Sequence, residues 1–167
     1  IEAVEDGVED ETTALTTIKE QTNKLEQKVH SLLYLNKLDY LKNTKNVTME
    51  EINMTDIINT EVEKFKFHRK DIKFEVNIDK KSTFYGSVEN WETILDNILS
   101  NFMRYTKTTI KITVRQNKII LYNDGESIDK DFLEAIFTPF RKGIKGQFGL
   151  GLSIVKKTLN LMDYDIT

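Results

Sequence analysis

Leu15, Ile18, Thr22, Leu25, Val29 and Leu32 recur in alternating three- and four-residue steps, an apolar line that repeats every seven residues. Gln, Lys and Glu fill most positions between them. The pattern predicts one long helix with a single apolar stripe, and such a helix needs a partner to bury that stripe. The next position in the repeat is Asn36, and the apolar series steps instead to Leu35 and Leu38, so the strict repeat slips near its end. Residues 1–9 read as the close of a preceding element with a turn at Gly7. A generic amphipathic helix capping the next domain reads the same way.

The polar stretch Lys42-Asn-Thr-Lys-Asn46 marks a joint. Two units are expected, residues 1–43 and residues 44–167. In the second, Val47 to Asn53 suggests a strand, and Thr55 is placed to cap a helix reaching Phe65. Alternation over Ile72, Phe74, Val76 and Ile78 predicts a strand, with a short one at Thr83–Tyr85. Thr109–Arg115 and Lys118–Tyr122 read as a hairpin around Gln116-Asn117. The second arm is apolar on both faces and is expected to be central. Lys130–Ile136 predicts a short helix and Leu150–Met162 a longer one. The whole reads as an α+β two-layer sandwich, a mixed sheet with helices on one face, preceded by one long helix.

Four segments carry chemistry. In Gly146-Gln-Phe-Gly149-Leu150-Gly151-Leu152, three glycines lead into an amphipathic run; their backbone N–H groups and the helix N-terminus suit a polyphosphate. A tight connection has the same composition. Glu92 to Tyr105 has helical spacing and brings Asn97, Asn101, Arg104 and Tyr105 to one face. Two carboxamides, a cation and a ring can hold a metal ion, phosphates and a flat base, and an oxygen-rich neutral face suits Mg²⁺; a solvated polar face is the plain alternative. Asn123-Asp124-Gly125 ends an apolar strand and continues to Ile128, placing polar groups at a strand end, although these are also common turn formers. Phe137-Thr-Pro-Phe140 precedes Arg141 and Lys142, with the chain's single proline between two aromatics.

In order and spacing these segments resemble the ATP-binding domain of sensor histidine kinases, in the superfamily shared with gyrase, a heat-shock chaperone and the mismatch-repair ATPases. Asn97–Tyr105 resembles its N box, Asn123–Ile128 its first glycine box, Phe137–Phe140 its F box and Gly146–Leu152 its second glycine box. The resemblance runs from about residue 45 to the end, with a fainter likeness over the first 43. It implies that Asn101 coordinates Mg²⁺, Asn97 sits beside it near the phosphates, Arg104 faces phosphate and Tyr105 packs near adenine or ribose. Lys142 stands where the family has a phosphate-binding cation, and Gly149 and Gly151 let the second box close. Gly125, Ile128, Phe137, Gly146, Leu150 and Leu152 belong to the same implied ATP site.

Two departures stand out. The first glycine box of the family opens with Asp, the acceptor for the adenine amino group; here Asn123 is followed by Asp124, so either could read adenine. Ser127 replaces the second glycine of that box. The lid from Lys142 to Phe148 is short.

The resemblance implies ATP and Mg²⁺ as ligands, a homodimer through the 10–43 helix, and a response regulator as the parent's partner. It also implies a cytoplasmic position in a membrane-anchored bacterial sensor kinase. The family's phosphoacceptor histidine is followed by an acidic residue and then a proline; His30 and His68 have neither context. The chain begins with Ile, as an excised piece would, and is expected to bind Mg·ATP without its own acceptor. A pseudokinase or dimerisation module, or the serine-kinase and ATPase branch, are the rival readings; that branch carries Glu where this chain has Asn97. A net charge of −3 and pI near 5.5 give no footprint for nucleic acid. Without cysteine there is no disulfide or thiolate chemistry.

Overall fold

The computed structural model describes residues 11–44, 48–128, 132–133, 135–140 and 149–167. Helix α1 spans Glu11–Thr44. Its hydroxyl residues fit a helix by bonding back one turn: Thr16, Thr22 and Ser31 donate to the carbonyls of Thr12, Ile18 and Gln27. The stripe from Leu15 to Leu32 is solvent-exposed, Leu15 to 67% and Leu25 to 61%, whereas Leu35 and Leu38 are buried. The slip in the repeat is therefore where the helix begins to pack on the rest of the fold.

Strand β1 (Glu50–Ile52) leads into α2 (Met54–His68). Asn53, not Thr55, caps α2. Its carboxamide oxygen accepts from Asp56 N and its Nδ2 donates to the Asp56 carboxylate at 2.7 Å, a reciprocal pair that a threonine hydroxyl makes less well. The helix also runs past Phe65 to His68. Next come β2 (Lys73–Ile78), β3 (Phe84–Gly86), α3 (Val88–Tyr105), β4 (Thr109–Arg115), β5 (Lys118–Asn123) and α4 (Gly151–Leu161). Ser87 caps α3, its hydroxyl accepting from Asn90 N at 3.2 Å.

The main sheet has the order β2-β4-β5, with β2 parallel and β5 antiparallel to β4. A separate antiparallel pair joins β1 to β3. The β4–β5 hairpin turns at Gln116 (φ 50°) and Asn117 (φ 57°), two left-handed residues as a type I′ turn requires. Among the described residues the central strand is β4, not β5. Ile110, Ile112 and Val114 of β4 are buried, while Ile120 and Tyr122 of β5 face out at an edge. The two-faced apolar pattern of β5 thus overstates its burial: Ile119 and Leu121 pack on the core and the alternate residues do not.

The core lies between the sheet and α2, α3 and α4, built on Ile58, Leu95, Leu99, Ile112 and Val155. Glu61 is the buried charged residue among those described; burial raises its carboxyl above the usual range, and Lys64 partners it at 3.4 Å. In the region expected as a helix over Lys130–Ile136, the described part is a tight turn. Ala135 N and Ile136 N both donate to Phe132 O, and Thr138 N donates to Ala135 O. Residues 130, 131 and 134 of that expectation lie outside the described residues.

Candidate functional site

The face of α3 bearing Asn97, Asn101, Arg104 and Tyr105 forms one side of a broad cleft. It exists because Ile94, Leu95 and Leu99 commit the opposite face to the core. Asn123 and Ile128 reach the same cleft from the end of β5, Phe137 from the turn beyond it, and Gly149, Leu150, Gly151 and Leu152 from the start of α4. Eleven of the expected ATP-site residues thus converge on a single opening, although they span 97 to 152 in the chain. Lys142 and Gly146 lie outside the described residues, as does the expected lid from Lys142 to Phe148.

Close approach explains two glycines. A Cβ on Gly151 would stand 2.9 Å from Asn97 Oδ1, so α4 begins packed against the α3 carboxamide, which would have to shift to admit a side chain at residue 151. Asn97 is itself held, its Nδ2 donating to Thr93 O at 2.8 Å. A Cβ on Gly125 would stand 2.5 Å from the Tyr105 carbonyl oxygen, a backbone atom that cannot step aside. Ser127 keeps a negative φ, so the replacement of glycine there carries no backbone strain. Phe140 N donates to Gly149 O at 2.8 Å, drawing together the two ends of the span 141–148.

Asp124 does not line the cleft. Its carboxylate accepts from the Thr108 hydroxyl, from Thr108 N at 3.0 Å and from Lys107 N at 2.9 Å, closing the connection between α3 and β4. Those bonds, the Thr108 hydroxyl foremost, hold the carboxyl well below its usual range. Asn123 faces the cleft instead, its Oδ1 accepting from Gly125 N at 3.3 Å. Of the two candidates for an adenine acceptor, only Asn123 reaches the opening.

Two contributors escaped sequence reasoning. Lys156 stands one helical turn beyond Leu152, with its Nζ 5.0 Å above the Phe137 ring, and lines the cleft. That spacing was available in the sequence, but the ring beneath it was not. The second contributor is α1, whose Gln27, His30, Ser31 and Tyr34 also line the cleft; no local signal announces that a helix more than 50 residues upstream docks there. His68, by contrast, ends α2 edge-on against Phe67, away from the cleft.

Among the described residues no group of three His, Cys, Asp or Glu could hold a metal ion. The oxygen donors of the α3 face are carboxamides, and that neutral set fits a cation such as Mg²⁺, which takes part of its shell from phosphates and water. Asn97 donates through Nδ2 to Thr93 O, and its Oδ1 lies against Gly151. The start of α4 adds a helix N-terminus to the same opening.

Residues 86–167 match the family described as histidine kinase-, DNA gyrase B-, and HSP90-like ATPase. The chain is 39% identical to sensor histidine kinase CssS of Bacillus subtilis (strain 168) over 83% of its own length and 31% of that protein. It is 30% identical to sensor protein kinase WalK of Staphylococcus aureus over 94% of its own length and 42% of that protein. It therefore spans well under half of these curated relatives. The solved structure of the Acinetobacter baumannii histidine kinase AdeS shares the fold, with a TM-score of 0.71 at 20% identity, covering 96% of this chain and 79% of that one.

Proposed function

Because the chain belongs to the histidine kinase-, DNA gyrase B-, and HSP90-like ATPases, on their sensor histidine kinase branch, we propose that its cleft binds Mg·ATP for transfer of the γ-phosphoryl group to a histidine. The acceptor would stand on the other helix of a dimerisation hairpin of which α1 is one arm, and the phosphoryl group would pass on to an aspartate of a response regulator. The observation that carries this reading is the convergence of Asn97, Asn101, Asn123 and the Gly149–Gly151 segment on one opening at the start of α4.

Phosphoryl transfer asks a protein mainly for positioning and charge stabilisation. Gly149 (φ 65°) and Gly151 let the backbone approach the phosphates, and the N-terminal end of α4 faces them with its positive dipole. Arg104 would add a cation, with Lys142 from outside the described residues. Tyr105 and Ile128 flank the base, and Asn123 accepts from its amino group through a carboxamide oxygen, a weaker acceptor than the carboxylate common in the family. Asn101 would hold Mg²⁺, which when bound neutralises phosphate charge.

The exposed stripe from Leu15 to Leu32 is the surface for a second copy of the chain and for the other arm of the hairpin. We take residues 1–43 as part of that hairpin and 44–167 as the catalytic unit, cytoplasmic in a membrane-anchored parent. No helix among the described residues is long and apolar enough to cross a membrane.

The test uses radiolabelled ATP, this chain and a separately supplied hairpin from its parent. Acid-labile label on the hairpin alone is expected. Label on the chain itself, lost on His30→Ala or His68→Ala, would make one of those residues the acceptor. No Mg²⁺-dependent ATP binding by calorimetry would reduce the chain to a dimerisation module.

A further inference from the structure

Helix α1 runs alongside α4 in the same chain direction. Leu35 packs with Leu150 and Ile154 at the start of α4, and four residues later Asp39 accepts from Lys157 Nζ at 2.7 and 2.8 Å. It runs opposite to α3, with Tyr34 Oη donating to Asn90 Oδ1 at 3.2 Å and Lys37 Nζ to Glu89 Oε1 at 2.9 Å. These contacts fix both the level and the rotation of α1.

Leu35 stands level with Leu150, so the part of α1 before it continues past the N-terminus of α4. At about 1.5 Å per residue, His30 and Gln27 lie roughly 7 and 12 Å beyond that level. Gln27 is as far from Tyr34, about 10 Å, as Asn97 is from Asn90 on the antiparallel α3. At about 100° per residue, Gln27 and His30 share the face that Tyr34 presents to the cleft, and the apolar stripe from Leu15 to Leu32 occupies the opposite side. Both residues line the cleft that holds Asn97, Asn101 and Gly151.

From this register we infer that Gln27 and His30 are phosphate-contacting residues, a third wall that α1 supplies to the ATP cleft. The inference rests on the nucleotide reading of that cleft and adds to it residues from outside the ATPase unit. A carboxamide and an imidazole offer N–H donors to phosphate oxygens. Glu26 Oε1 lies 3.8 Å from His30 Nε2. Gln27 and His30 are both exposed, so their value lies in what enters the cleft rather than in holding the fold.

Calorimetric titration of the full chain with ATP and with AMP, each with Mg²⁺, tests this. In the double variant Gln27→Ala/His30→Ala, ATP affinity should fall about fivefold or more while AMP affinity stays unchanged. Leu35→Ala, which loosens the docking and leaves both side chains intact, should lower ATP affinity relative to AMP in the same sense. ATP affinity within about twofold of the parent in the double variant overturns the inference, and so does an equal loss for ATP and AMP. A parent chain that binds neither nucleotide sinks the nucleotide reading and this inference with it. Asn101→Ala is the control: if it abolishes ATP binding while the double variant does not, the site stands and the α1 wall falls.

Discussion

Replacing Gly151 by alanine separates stability from binding. The new Cβ would stand 2.9 Å from Asn97 Oδ1, so either Asn97 leaves its place or α4 retreats. Asn97 is the cheaper to move, at the cost of its bond to Thr93 O, about 1 kcal/mol. Gly151 has no left-handed φ, so alanine also gains helix propensity of up to about 1 kcal/mol. The two terms nearly cancel, and the melting temperature should shift by less than about 3 °C. ATP affinity should fall about tenfold, because the displaced carboxamide lines the cleft proposed to hold the phosphates. A double-mutant cycle gives the decisive number. In an Asn97→Ala background the clash is gone, and Gly151→Ala should then stabilise by about 0.5–1 kcal/mol, a coupling near 1 kcal/mol. Urea unfolding of the four proteins measures it. If Gly151→Ala has the same effect in both backgrounds, the contact with Asn97 is not the reason for the glycine.

Asn101→Ala should abolish Mg·ATP binding more completely than any other single change on the α3 face; calorimetric affinity within about threefold of the parent would refute the metal assignment. Asn123→Asp should tighten ATP binding about fivefold, since an ionised acceptor strengthens the bond to the adenine amino group. Asp124 is already occupied, so an unchanged preference for ATP over GTP would mean that neither side chain reads the base. Asp124→Asn should destabilise the fold at neutral pH. Because the folded carboxyl is depressed below its ordinary 3.8, that stabilisation is complete above this pH and lost as pH falls through the folded value. Urea midpoints of variant and parent should therefore converge in acid, and a gap that stays constant to low pH would contradict the carboxylate's role.

Elements governed by short-range rules were legible in the sequence. The alternation of Ile72 to Ile78, the hairpin at Gln116-Asn117 and the apolar face of α3 each declare their structure within a few residues. The converging site was legible as well, because its residues come as four compact motifs. What stayed hidden depended on partners distant in the chain. Nothing near Asp124 indicates that Lys107 and Thr108 will claim its carboxylate. The apolar run of β5 shows which residues prefer burial but not whether a neighbouring strand covers them. The cap at Asn53 was a local miss, since asparagine followed three residues later by Asp56 is itself a helix-start signal.

The parallel pairing of β2 with β4 also sets an order of assembly. The β4–β5 hairpin closes over a two-residue turn and can form in microseconds, whereas β2 must wait until the span 79–108, with β3 and α3 inside it, has been folded back. The cleft needs more still: α3 from within that crossover, α4 from near the end of the chain, and the docked end of α1. Half-made chains emerging from the ribosome therefore have hairpin and helix but no nucleotide pocket. ATP, which stabilises only what it can bind, would protect the finished unit from proteases and leave unfinished ones exposed to them.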